Sequence, residues 1–163
     1  MEYVYPFRSD LELGNTDPSM DQFRKSFFRR LSLAYEEVAR TMLRASSSAL
    51  PFPLRRIGRW WRANEEIDVV GTNDELNAVL FAEVKWSNKP LGSDIYRRLV
   101  EKSRQVEWGK ENRREAYALF SKSGFTAEMK RLASEDRVLL FHQDRQVARR
   151  GRDREASSDG ATR

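Results

Sequence analysis

Cysteine is missing from the 163 residues, and histidine occurs once, as His142. The first absence excludes disulfides, thiolate metal sites and a cysteine nucleophile. The second excludes a metal site built on a histidine pair. With no Gly-x-Ser-x-Gly elbow present, it also argues against a Ser-His-Asp hydrolase. No apolar run approaches the ~18 residues that a membrane span needs. The opening Met1-Glu2-Tyr3-Val4-Tyr5-Pro6 has neither the basic start nor the apolar stretch of a signal peptide. The expectation is a cytoplasmic protein with no membrane contact. No internal repeat is visible.

What the chain does contain is enough apolar and aromatic material for a core. Hydrophobic residues make up 39% and aromatics 11%, too much for a disordered charged chain. A chain of this length buries roughly 70% of its extended surface on folding. Charge adds a second theme. The net value is only +5, but the cations cluster. Arg55-Arg56, Arg59 and Arg62 interleave with Trp60-Trp61, and Arg97-Arg98, Lys102 and Arg104 follow. Such patches suit a polyanion, since each neutralised phosphate releases counterions. A solvated surface of ordinary charged residues accounts for them equally well.

Along the chain, residues 1–16 read as an irregular lead-in. Asp17-Pro18 is a good helix start, with Asp as cap and Pro at the first helical position. Met20, Phe23, Phe27, Leu31, Ala34, Val38 and Met42 then recur at helical spacing, with Ser32 as a candidate break between two helices; a helix restarting there would carry Tyr35, Val38, Ala39 and Met42 as its stripe, with Glu36 on the flank. Pro51 and Pro53 lie beyond its end. Ile57–Trp61, Glu66–Val70 and Ala78–Trp86 read as three closely connected, hence antiparallel, strands. A helix follows from about Ser93, with Ile95, Leu99 and Val106 as its buried stripe. Ala116–Phe120 reads as a strand, Thr126 caps a further helix, and Val138–Phe141 closes the run. Residues 17–144 thus form one α/β domain in the order αβββαβ plus a final helix and strand, a mixed sheet flanked by helices. Residues 145–163, rich in Arg, Asp, Gly and Ser, read as a disordered basic tail.

The chemistry concentrates on two of these strands. Residues two apart on a strand share a face, so Glu83 and Lys85 project together, and Asp68 lies one hairpin away. Ile67, Val69, Ala82 and Val84 are expected on the opposite face. Charges rising from apolar strands are costly unless they pair or bind a metal. Two carboxylates there suit a hard divalent cation, Mg²⁺ first with Mn²⁺ as substitute, and Lys85 would orient water or stabilise charge on a phosphate. A plain ion pair between Lys85 and one of the acids is the competing reading. Glu128-Met129-Lys130 repeats the Glu-x-Lys pattern on a helix, where the two side chains diverge by about 200° and share no site.

Four stretches carry a family resemblance. They are Tyr3-Val4-Tyr5-Pro6 with Arg8-Ser9; Tyr35-Glu36-Glu37-Val38; Gly58-Arg59-Trp60-Trp61 through Glu66-Ile67-Asp68; and Glu83-Val84-Lys85-Trp86-Ser87 with Ser121-Lys122-Ser123-Gly124-Phe125-Thr126. Together they resemble the C-terminal domain of a family of archaeal ATPases, and the acid–hairpin–Glu-x-Lys arrangement resembles the PD-(D/E)XK nuclease superfamily. The likeness spans roughly residues 3 to 141. It implies a restriction-endonuclease-like fold and a metal-dependent DNA nuclease centre with Asp68 and Glu83 as metal ligands. It also implies Lys85 as catalytic lysine and a helix acid, Glu36 with Glu37 in reserve. Ile67 stands where the pattern often has proline, and the Gly-x-x-x-x-Gly-Lys-[Ser/Thr] loop of an ATPase is missing. Arg59, Lys89, Arg97 and Arg98 are the phosphate-contact candidates. Expected partners are DNA and an AAA-type ATPase, with a homodimer left open. The alternative is the same fold as a non-catalytic module that binds DNA or docks on an ATPase. Trp60, Trp61 and Trp86 divide between core packing and base stacking, and His142 reads as a surface residue without a role.

Overall fold

The computed structural model describes residues 17–46 and 49–147. Helix α1 (Asp17–Ala45) runs unbroken through Ser32. The Ser32 hydroxyl donates back to the Phe28 carbonyl at 3.0 Å, so it is satisfied inside the helix and caps no new one. The expected break is corrected by that bond. The buried stripe departs from the one that begins at Met20 and keeps most of the one expected after Ser32: Tyr35, Ala39 and Leu43 pack inward with Met42 partly buried, whereas Met20, Phe23, Phe27 and Val38 remain 43–47% exposed. The packed face lies about 100° around the helix from the stripe that begins at Met20. Only the C-terminal half of α1 crosses the sheet, and the sheet rather than the local pattern selects the face.

Three antiparallel strands follow: β1 (Arg56–Arg62), β2 (Glu65–Asn73) and β3 (Ala78–Lys85). Their connections are too short for anything else. Helix α2 (Ser93–Ser103) then carries the chain to β4 (Arg114–Ser121), parallel to β3. Helix α3 (Ala127–Glu135) carries it to β5 (Leu139–His142), parallel to β4. Thr126 caps α3 as expected, its side chain accepting the Met129 N–H at 3.2 Å. A short β6 (Arg145–Gln146) turns back antiparallel to β5. The assigned tail therefore loses its first residues to the sheet, because the Gln143-Asp144 turn lets their backbone pair; residues 148–163 lie outside the described residues, as does the lead-in. The result is a mixed α/β fold with a six-stranded mixed sheet in sequential order and, among the described residues, three helices.

Strand β3 lies inside the sheet, buried on both faces up to Lys85. Its even residues, Ala78 to Val84, join Tyr35, Ala39, Leu43 and Phe120 under α1. Its odd residues, Val79 and Phe81, join Leu99, Leu119 and Met129 under α2 and α3. Helix α2 buries Ser93, Tyr96, Leu99 and Ser103. Val106 is buried beyond its last turn, and Ile95 only partly.

Candidate metal and phosphate site

The alternation that aims side chains breaks once, in β2. Gly58 pairs with Val70, yet Trp60 pairs with Ile67, so two steps along β1 match three along β2. This is a β-bulge, and it resets which face each residue takes. Val69 packs under α1 as expected, but Ile67 goes to the α2 side, correcting its predicted placement. The β2–β3 ladder ends at Val69 and Ala82. Beyond that pair the strands separate. Asp68 fills the gap with its side chain, and Oδ2 accepts the Val84 N–H at 2.8 Å in place of a ladder carbonyl. Cations from both helical layers hold the separated segment. Arg40 of α1 donates to the Asp68 carbonyl at 3.2 Å, and Lys102 of α2 donates to the Glu66 carbonyl at 2.8 Å.

Glu83 follows from the same geometry. As an odd residue of β3 it faces α2, with its side chain only 7% exposed. Two ammonium groups meet its carboxylate. Lys85 Nζ lies 2.6 Å from Oε1, and Lys102 Nζ lies 3.3 Å from Oε2 and 3.5 Å from Oε1. Glu36, on the flank of α1, has a side chain 14% exposed, and its Oε2 receives Arg59 at 2.8 Å and Arg40 at 3.1 Å. Glu37 is 61% exposed and pairs with Arg40 and Arg44. Of the two helix acids, Glu36 is therefore the one turned toward the bulge.

Electrostatics ties these groups together. Burial, and after it the neighbouring Glu83 charge, push the Asp68 carboxyl up to about 6, against the pull of Lys85 and the Val84 N–H; Glu36 adds a smaller push. Burial works against the Lys85 ammonium, but the charges of Glu83, Asp68 and Glu36 outweigh it and its pKa lies above the ordinary lysine value. Lys85 is thus a fixed cation at neutral pH and no proton acceptor. Glu83 is matched by two lysines, whereas Asp68 has Lys85 as its nearest compensating cation and is hard to ionise. Among the described residues no three His, Asp or Glu side chains form a ready metal cluster. Mg²⁺ needs only one or two carboxylates, taking its remaining oxygens from water and phosphate, so Asp68 and Glu83 are the two residues here that could hold one.

The phosphate candidates fare unevenly. Arg59 is committed to Glu36 and Glu66, and Arg97 sits 3.5 Å from Glu128. Arg55, Arg56 and Arg62 are likewise paired, with Glu75, Asp74 and Glu107. Lys89 and Arg98 are exposed and form no ion pair among the described residues. Trp86 packs edge-on against Tyr35 at 5.3 Å with Lys122 over its ring, and Trp60 packs partly on the α2 side. Trp61 is 70% exposed. His142 is exposed, with Nε2 3.1 Å from the Lys122 carbonyl. Sequence reasoning missed Arg40 and the role of Lys102. Their only signals were spacing: Arg40 is four residues after Glu36, and Lys102 is three after the buried Leu99. An open concavity of about 900 Å³, lined by Tyr96, Arg114, Tyr117 and Asp136, contains none of the site residues. It lies by the first residues of β4, whereas Lys85 pairs with Ser121 at the last.

Residues 1–106, which include every one of the clustered acids and lysines, match the model of DUF234, a family described as archaeal and bacterial proteins of unknown function. An uncharacterised protein of Methanocaldococcus jannaschii is 34% identical over 124 residues, which cover 74% of this chain and 27% of that protein. The chain therefore spans about a quarter of the length of the curated relative it matches. No solved structure matches it.

Proposed function

Since the chain belongs to the DUF234 family, whose description assigns no activity, we propose from the site itself that it is a metal-dependent DNA nuclease domain of the PD-(D/E)XK kind. One observation carries the reading. The bulge delivers the Asp68 carboxylate to the Val84 N–H, next to a nearly buried Glu83 whose oxygen lies 2.6 Å from a lysine ammonium. The order of helix, three antiparallel strands, helix and parallel strand supports the restriction-endonuclease-like assignment.

Asp68 and Glu83 would hold Mg²⁺, or Mn²⁺ in its place. The cation's contribution is Lewis acidity toward water and toward the phosphate. The remaining work belongs to the chain. Lys85 presents a permanent positive charge that orients the attacking water and offsets the negative charge growing on the phosphate oxygens. Glu36 holds Arg40 and Arg59 in place, and Arg40 in turn holds the backbone of Asp68. Lys89 and Arg98 contact flanking phosphates. Hydrolysis is direct, with no covalent enzyme intermediate, since neither cysteine nor a histidine-activated serine is at hand.

The test is a cleavage assay on duplex, single-stranded and branched DNA with and without Mg²⁺. Asp68→Ala and Glu83→Ala should each abolish cleavage while DNA binding stays equal or tightens, because each removes a negative charge. Equal cleavage by wild type and Glu83→Ala would reject the assignment. A second reading, a non-catalytic module of the same fold that binds DNA or docks on an AAA-type ATPase, draws on the exposed apolar side chains of α1, among them Phe27, Phe28 and Leu33. Metal-independent DNA binding without cleavage would favour it.

A further inference from the structure

The second lysine at Glu83 has no part in the scheme above. Its ammonium reaches both Glu83 oxygens, at 3.3 and 3.5 Å, but its shorter bond, 2.8 Å, goes to the Glu66 carbonyl on the separated segment of β2. The side chain is 18% exposed and rises from the last turn of α2, whose buried Leu99 and Ser103 fix its base. Lys85 differs. It is 38% exposed, its bond to Glu83 is the shorter of the two, and Asp68 and Glu36 also attract it. A carboxylate that already accepts two ammonium groups offers a metal fewer lone pairs and meets it with two like charges close by. Of the two cations, Lys102 holds Glu83 more weakly and has another acceptor already in hand.

We propose that Lys102 is a positioning residue and internal counter-cation. It holds Glu83 in place, yields that carboxylate when a divalent cation binds, and stays on the Glu66 carbonyl as a fixed positive charge beside the substrate phosphate. The inference rests on reading Asp68 and Glu83 as a cation site. It predicts effects of opposite sign, which a packing role would not produce. Loss of the Lys102 charge removes a competitor for Glu83 and so tightens cation binding. The same loss removes a charge that the phosphate needs and so slows turnover.

The experiment titrates Mg²⁺ and, separately, non-catalytic Ca²⁺ into DNA-free protein by calorimetry, for wild type, Lys102→Met, Lys102→Gln, Lys102→Arg and Glu83→Gln. Single-turnover cleavage is measured alongside. Lys102→Met or Lys102→Gln, whichever folds with a wild-type circular dichroism spectrum, should bind the cation at least about tenfold more tightly, since one unit charge about 4 Å from a divalent ion amounts to roughly thirtyfold even at the dielectric of water, before salt screening. It should also cleave more slowly, and Lys102→Arg should restore wild-type cation affinity. If wild-type binding is lost in Glu83→Gln but unmoved in the Lys102 variants, the Lys102 inference falls alone. If wild type binds no cation, or Glu83→Gln binds as well as wild type, the site reading falls and takes this inference with it.

Discussion

Asp68 illustrates how one residue can be both a backbone part and a titrating group. Its carboxylate replaces a missing ladder acceptor for Val84, and burial beside Glu83 raises its pKa from 3.8 to about 6. An acid raised in the folded state holds its proton more tightly there than in the unfolded chain. Its stabilising contribution is therefore complete below about pH 4 and lost as the pH climbs through about 6. Asparagine keeps the acceptor for Val84 and never ionises. In the absence of divalent cations, Asp68→Asn should exceed wild type by about 3 kcal/mol at pH 8, with the gap closing near pH 4, as read by urea unfolding at both values. Equal stability at pH 8 would mean that Asp68 is better solvated than its position indicates. The Glu83–Lys85 pair was legible in the sequence, because strand alternation alone puts them on one face. The route by which Asp68 reaches them was not. It depends on a bulge, and nothing in Glu66-Ile67-Asp68-Val69 announces one extra residue relative to the partner strand.

At the scale of elements, α1 shows why a stripe of apolar residues does not name its own partner. The helix carries two adjacent stripes. The longer one, Met20 to Val38, is the more conspicuous in sequence, yet the sheet takes the one containing Tyr35, Ala39 and Leu43. Periodicity located the helix and its Asp17-Pro18 start, but it holds no record of where the sheet ends. The difference has an energetic consequence. Leu43, 1% exposed, should cost about 2–4 kcal/mol on truncation to Ala. Phe27, 47% exposed and, among the described residues, stacked on Phe23 and edge-on to Phe28 of its own helix, should cost less than about 1 kcal/mol. Chemical denaturation of the two variants checks this, and a Phe27→Ala loss as large as that of Leu43→Ala would place a further contact on that face. The strands were easier to read because turn residues bound them closely. The exception is β6, where two polar residues pair only because β5 leaves an edge open.

For the whole molecule, charge clustering in sequence proved a poor guide to free positive surface. Arg55, Arg56, Arg59 and Arg62 each sit against an acid, so the most basic stretch of the chain is largely self-neutralised. Those acids are scattered from Glu36 to Glu107, and only folding brings them to the arginines. Lys89 and Arg98 keep their charge available. If they contact phosphates, changing both to Ala should lower the slope of log affinity against log salt by about 1 to 2, since each B-DNA phosphate contact contributes about 0.9. An unchanged slope in fluorescence-anisotropy titrations would remove them from the interface. The ending of the β2–β3 ladder at Val69 and Ala82 reaches further than the site it creates. The tip of the β1–β2 ribbon has no ladder to the central sheet and is held by side chains instead, Asp68 on Val84, Arg40 and Lys102 on its carbonyls, Arg59 on Glu36 and buried Ile67 on the α2 side, in the manner of a lever with its fulcrum at Asp68. Anything that bridged Asp68 to Glu83 would lock that lever, turning occupancy of a few oxygens into stiffness along a whole arm of the molecule.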